Sequence, residues 1–63
     1  MPYVNVKVAG KLTKEQKEKI AQGVTKLLEE VASKPPSATY VVIEEIEKED
    51  WAVGGELLSG PAS

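Results

Sequence analysis

Cysteine, histidine and arginine are all absent from this 63-residue chain, and each absence closes off a set of chemistries. Without cysteine there is no disulfide framework and no thiol nucleophile. Without histidine as well, a zinc site of ordinary composition and a Ser-His-Asp relay are excluded. The missing arginine removes the planar guanidinium, the usual bidentate reader of carboxylates; the eight cations are all lysines, which act as point charges. They are scattered and do not interleave with aromatics, so nucleic-acid binding is not expected. No apolar run approaches the roughly 20 residues that cross a bilayer, and no basic-then-apolar leader is present. A soluble, cytoplasmic protein without a membrane partner is expected.

Ten carboxylates leave a net charge of −2. A chain this short buries only about 60% of its unfolded surface and needs reinforcement. With disulfides and metals excluded, oligomerisation is the remedy that remains. The whole chain, residues 1–63, reads as one domain, with 59–63 as a disordered tail.

Local patterns are clear. From Tyr3 to Val8 the chain alternates, placing Val4, Val6 and Val8 on one face and Asn5 and Lys7 on the other, which predicts a half-buried strand. Thr13-Lys14-Glu15-Gln16 has the form of a capping box and starts a helix. Ile20, Ala21, Val24, Leu27, Leu28 and Val31 form one apolar stripe along it, opposite the pairs Lys14/Glu18, Glu15/Lys19 and Lys26/Glu30. Gly23 interrupts the helix, either as a plain cost or as a point of close approach. Lys34-Pro35-Pro36 ends it.

The β-branched run Thr39 to Ile43 predicts a second strand covered on both faces and continuing to Ile46. After the charged turn Glu47 to Asp50, the glycine pair between Trp51 and Leu58 predicts a short hairpin or a bulge. The expected fold class is α/β: a single βαβ unit with parallel strands and a right-handed crossover, plus a C-terminal hairpin. Val4, Val6, Val8, Val42 and Ile46 supply more apolar surface than one helix stripe covers, so sheet faces or edges are expected to pair between subunits.

One residue carries the distinctive chemistry. A small side chain at position two lets the initiator methionine be trimmed, and Pro2 then begins the chain as a secondary amine. An α-amino group titrates at roughly 7.7–8, low enough to serve as a base near neutrality, and burial lowers it further. With Met1 attached, the same nitrogen is a tertiary amide without a basic lone pair. Proline also suits the start of an edge strand, where its missing N–H costs nothing.

Proline at position two, Thr13-Lys14-Glu15-Gln16-Lys17 opening the helix, Pro35 at its end and Trp51 leading into Val53-Gly54-Gly55-Glu56-Leu57 together resemble the short-chain 4-oxalocrotonate tautomerase family. The resemblance runs from Pro2 to about Leu58. It implies a tautomerase-like fold assembled as a homohexamer, a trimer of dimers, with the amino-terminal proline in a pocket at a subunit interface. It further implies a cofactor-independent isomerase. The proline nitrogen takes a proton from a dienol or an α-position of a substrate similar to 2-hydroxymuconate and returns it to another carbon. Two arginines bind the substrate carboxylates, and an aromatic residue closes the pocket.

Carried over, Pro2 matches the catalytic proline and Trp51 the aromatic wall. The arginine positions fall on Leu12, with Lys11 immediately before it, and on Tyr40. Lys11 supplies a positive charge and the Tyr40 hydroxyl a hydrogen bond to a developing enolate, but neither forms a bidentate fork. The expected function is tautomerisation of a small enol or 2-oxo acid, weak on the dicarboxylate. Two alternatives stand: a catalytically silent oligomer that binds or scaffolds, and a hydratase or dehalogenase of a short unsaturated acid.

Overall fold

The chain is laid out β1 (Tyr3–Ala9), α1 (Lys14–Ala32), β2 (Tyr40–Ile46), β3 (Ala52–Val53) and β4 (Glu56–Leu57), with single 3-10 turns at Pro36–Ala38 and Lys48–Asp50. The computed structural model describes residues 1–60, so residues 61–63 of the expected tail lie outside the described residues. β1 and β2 pair in parallel, in register from Tyr3 opposite Tyr40 to Ala9 opposite Ile46. The crossover between them is α1, which makes the expected βαβ unit. β3 and β4 form a separate antiparallel hairpin. Its two-residue turn is Gly54 and Gly55, at φ 60° and 84°, the pair of positive values that a type I′ turn demands.

The capping box forms as its sequence requires. The Gln16 amide donates to Thr13 Oγ1 at 3.1 Å, and the Thr13 amide donates to Gln16 Oε1 at 2.9 Å. Glu15 pairs with Lys19 and Lys26 with Glu30 along the exposed flank, while Lys14 and Glu18 are not within ion-pair distance. The far end differs from expectation: α1 stops at Ala32, ahead of the prolines, because Ser33 turns left-handed at φ 56° and its amide donates to the Glu29 carbonyl at 3.1 Å. A non-glycine residue in that region carries a penalty of about 1–2 kcal/mol. Ser33→Gly is therefore expected to stabilise the protein by about 1 kcal/mol, read as a raised denaturation midpoint at fixed protein concentration. An unchanged or lowered midpoint would contradict the reading of this cap.

Register decides what the helix covers. Val4, Val6 and Val8 of β1 align with Val41, Ile43 and Glu45 of β2, and all six are half-buried beneath α1. From the helix, Lys17, Ile20, Ala21, Val24, Thr25 and Leu28 are half-buried in turn. Leu27 and Val31, expected in the same stripe, stay 58% and 76% exposed. The opposite sheet face carries Tyr3, Asn5, Lys7 and Ala9 beside Tyr40, Val42, Glu44 and Ile46. β2 is thus covered on one face within the chain, not on both, and Val42 and Ile46 lie on the side away from Val4, Val6 and Val8.

No hydrophobic side chain among the described residues is fully buried. The Cα radius of gyration is 15.1 Å, against roughly 11 Å for a compact chain of this length. A Cβ built on Gly23 meets nothing within 4 Å, so no element of the same chain approaches the helix there.

Candidate functional site

The amino-terminal end of the sheet brings together, through their backbones, two of the four residues singled out from sequence. Pro2 precedes β1 and is half-buried. Its carbonyl accepts the Tyr40 amide at 3.0 Å, which extends the ladder by one rung and fixes the backbone on which the proline ring stands. Tyr40 sits beside Tyr3 on the open sheet face, 55% and 63% exposed respectively. Met1 projects away at 90% exposure, accessible to a processing enzyme.

Trp51 and Lys11 lie at the other end. Trp51 follows the 3-10 turn, its amide donating to the Lys48 carbonyl at 3.3 Å and its carbonyl accepting the Leu58 amide at 2.8 Å, so the hairpin backs it. With Lys7, Ile46, Asp50 and Ala52 it lines an open pocket of about 300 Å³ on the same sheet face as Tyr40. Lys7 lies five residues along β1 from Pro2, a separation of roughly 16 Å at strand rise. Within one chain, therefore, Pro2 and Tyr40 are together, Lys11 and Trp51 are near the opposite end, and the two pairs do not meet.

Lys11 occupies the β1–α1 loop and pairs with Glu47 at 3.2 Å, the two side chains 76% and 58% exposed. Leu12, which follows Lys11, has its amide bound by Glu45 Oε2 at 2.7 Å. Glu45 Oε1 also accepts from Lys17 Nζ at 2.9 Å. The Leu12 amide first, then the Lys17 ammonium, hold the Glu45 carboxyl below the usual carboxylate range, so it is ionised near neutrality. Tyr40 and Trp51 offer only single-point hydrogen bonds and apolar surface, and no side chain presents a fork to a dicarboxylate.

Three participants escaped the sequence reading. Lys7 joins the Trp51 pocket, a placement available from strand alternation only once the tryptophan is known to fold back over that face. Glu47 is a charge in a charged turn and carries no local signal. Glu45 had one: it shares strand parity with Val41 and Ile43 and so must point toward the helix with them. Among the described residues there is no group of three or more His, Cys, Asp or Glu side chains able to hold a metal ion, and no helix is long and apolar enough to cross a membrane. A larger concavity on the flank of α1, lined by Ala21, Gln22, Thr25, Lys26, Glu29 and Pro36, contains none of Pro2, Lys11, Tyr40 and Trp51.

Comparison with known proteins gives these positions their context. The family model described as "Tautomerase enzyme" matches residues 2–60, which begins at Pro2. The chain is 42% identical over 60 residues to a probable tautomerase, K2, of Dickeya dadantii, covering 94% of this chain and 90% of that protein. It is 39% identical over 59 residues to the 2-hydroxymuconate tautomerase of Bacillus subtilis, covering 94% and 95%. Among solved structures, DmpI from Helicobacter pylori superposes with a TM-score of 0.87 at 30% identity, covering 92% of this chain and 91% of that one. YwhB, a homologue of 4-oxalocrotonate tautomerase, superposes with a TM-score of 0.86 at 38% identity, covering 92% and 95%. A βαβ unit opening on Pro2, matched over nearly its full length by these proteins, makes this chain a member of the 4-oxalocrotonate tautomerase-like family and an isomerase of the tautomerase type.

Proposed function

We propose that the protein is a cofactor-independent tautomerase of a small enol or 2-oxo acid, with the Pro2 secondary amine as general base. The observation that carries this reading is the position of Pro2, held by the Tyr40 amide through its carbonyl while Met1 stands free for removal. The trimmed nitrogen takes the enol hydroxyl proton, the carbon–carbon double bond shifts as the carbonyl forms, and the resulting ammonium returns the proton to carbon. Proton count and charge balance without a co-reactant. Tyr40 donates a hydrogen bond to the developing oxyanion, Lys11 supplies positive charge to the substrate carboxylate, and Trp51 walls the pocket and lowers the amine pKa by excluding water.

The separation of Pro2 from Trp51 supports a site completed by a second copy of the chain, within a homo-oligomer for which a trimer of dimers is the expected form. Exposed Leu27, Val31 and Val42 supply apolar surface for such an assembly. Subunit mixing tests it. Pro2→Ala and Trp51→Ala variants, each nearly inactive alone, are expected to recover about a quarter of wild-type activity when unfolded together in equal amounts and reassembled, since half the prolines then meet half the tryptophans at random. No recovery would place the whole site in one chain.

Trimmed protein, verified by intact mass, assayed on the enol of phenylpyruvate, 2-hydroxymuconate and a 3-haloacrylate tests the reaction itself. Turnover of the monoacid enol with weak turnover of the diacid supports the tautomerase reading. Turnover of the haloacrylate alone would indicate hydration or dehalogenation instead. Silence on all three would favour the second reading, a binding or scaffolding oligomer, which the absence of arginine at Leu12 and Tyr40 supports.

A further inference from the structure

The β1–α1 loop that carries Lys11 is held at three successive residues by three successive residues of β2 and its end. The Gly10 amide donates to the Ile46 carbonyl at 2.9 Å. The Leu12 amide donates to Glu45 Oε2 at 2.7 Å, and Lys11 Nζ pairs with Glu47 at 3.2 Å. Of these, the backbone bond requires no particular side chain, and the Lys11–Glu47 pair is too exposed to fix a loop. Glu45 is different. It occupies a helix-facing position in a row otherwise filled by Val41 and Ile43, and its register partner is Val8. Strand alternation calls for an aliphatic side chain there, and withdrawing a carboxylate from water is unfavourable unless each oxygen finds a donor. Both oxygens do, and one of the donors is the Leu12 backbone itself.

We propose that Glu45 is a positioning residue for substrate binding: it holds the Leu12 amide and thereby sets where the Lys11 loop stands relative to the substrate carboxylate. The inference rests on the tautomerase reading above, in which Lys11 meets that carboxylate. A local rule broken at the side chain that holds the Leu12 amide fits a group that serves the site rather than packing. The strand supplies a rigid base, and a charge-assisted hydrogen bond to a backbone amide fixes the loop more firmly than a neutral one does.

Three variants separate positioning from stability. Glu45→Val restores the aliphatic pattern and removes the grip on Leu12. Glu45→Gln keeps the shape and weakens the bond. Lys17→Met removes the other partner of Glu45 and leaves Leu12 bound. On the monoacid enol, both Glu45 variants are expected to raise KM about fivefold or more while kcat stays within about twofold, whereas Lys17→Met, which leaves the Leu12 bond in place, raises KM by less than about twofold. Amide hydrogen exchange at Leu12 should accelerate strongly in the Glu45 variants and much less in Lys17→Met. If Glu45→Val fails to fold, Glu45→Gln decides by the same readings.

Unchanged KM in an active, folded Glu45 variant would overturn the inference and leave the tautomerase reading intact. An equal rise of KM in Lys17→Met would also overturn it, since Glu45 would then act through stability alone. A trimmed wild-type protein silent on the monoacid enol would instead sink the tautomerase reading, visibly before any variant is compared.

Discussion

Alanine in place of Pro2, in protein trimmed of Met1, is expected to lower kcat by about 10²-fold or more on the monoacid enol. General acid–base catalysis contributes about 10²–10⁴-fold, and the substitution leaves a primary amine on a more mobile backbone where a ring nitrogen stood. The Tyr40 amide bond runs to the carbonyl at this position, so alanine keeps that anchor and the β1–β2 ladder. KM should change little, because the lost interaction belongs to proton transfer. A second form of the protein isolates the nitrogen: an uncleavable extension ahead of Pro2 retains the ring and the fold but makes the nitrogen an amide, and should abolish turnover. Steady-state kinetics on both, with intact mass to confirm the terminus, checks the prediction. Full activity in the extended protein would remove the proline nitrogen from the mechanism.

Tyr40→Arg is expected to raise kcat/KM on 2-hydroxymuconate by about 10–100-fold. Tyr40 lies on the open sheet face next to the strand that Pro2 begins and is more than half exposed, so a long cation is accommodated without displacing packed side chains. A charge-assisted hydrogen bond to a carboxylate contributes about 1.5–3 kcal/mol, and each 1.4 kcal/mol is tenfold. A bidentate guanidinium supplies the fork that no side chain of the natural chain offers. The gain on the monoacid enol should be severalfold at most, since in the proposed site Lys11 takes its single carboxylate. Equal gains on both substrates would show that the added charge acts by general attraction, and no gain on either would place Tyr40 away from the substrate. The two predictions address different atoms and should combine additively only if the amine and the carboxylate reader act independently.

Much of the fold was legible because its signals are local. Thr13 and Gln16 contain their own capping geometry three residues apart, and the valines at positions 4, 6 and 8 contain their own alternation. The glycine pair at 54 and 55 has the backbone freedom of a type I′ turn regardless of what surrounds it. The helix end was less legible: the prolines at 35 and 36 are the visible stop signal, but Ser33 had already turned the chain, and nothing in a serine announces a left-handed residue. Leu27 and Val31 belong to the apolar stripe by period, yet a two-stranded sheet is too narrow to reach them.

The candidate site divides along the same line. Pro2, Lys11, Tyr40 and Trp51 are candidates by residue type, position and resemblance. Their grouping was not legible, because it depends on which end of the sheet each element reaches. Glu45 escaped notice for a related reason: a glutamate in a charged stretch reads as solvated, and its parity with Val41 and Ile43 becomes informative only once the helix is known to cover that face.

By itself the sequence determined which chemistry is available. It provides a proline whose nitrogen becomes a secondary amine once Met1 is removed, lysines in place of guanidinium forks, and no thiol or imidazole. Tertiary structure decided which of these groups meet. It set Pro2 beside Tyr40, carried Trp51 and Lys11 to the other end of the sheet, and turned Glu45 inward onto the Leu12 amide. The physical reason is that a strand's side chains alternate with a period of two, so a shift of one residue in pairing exchanges every inward group for an outward one. That register is a property of two strands separated by a helix, and neither strand contains it alone.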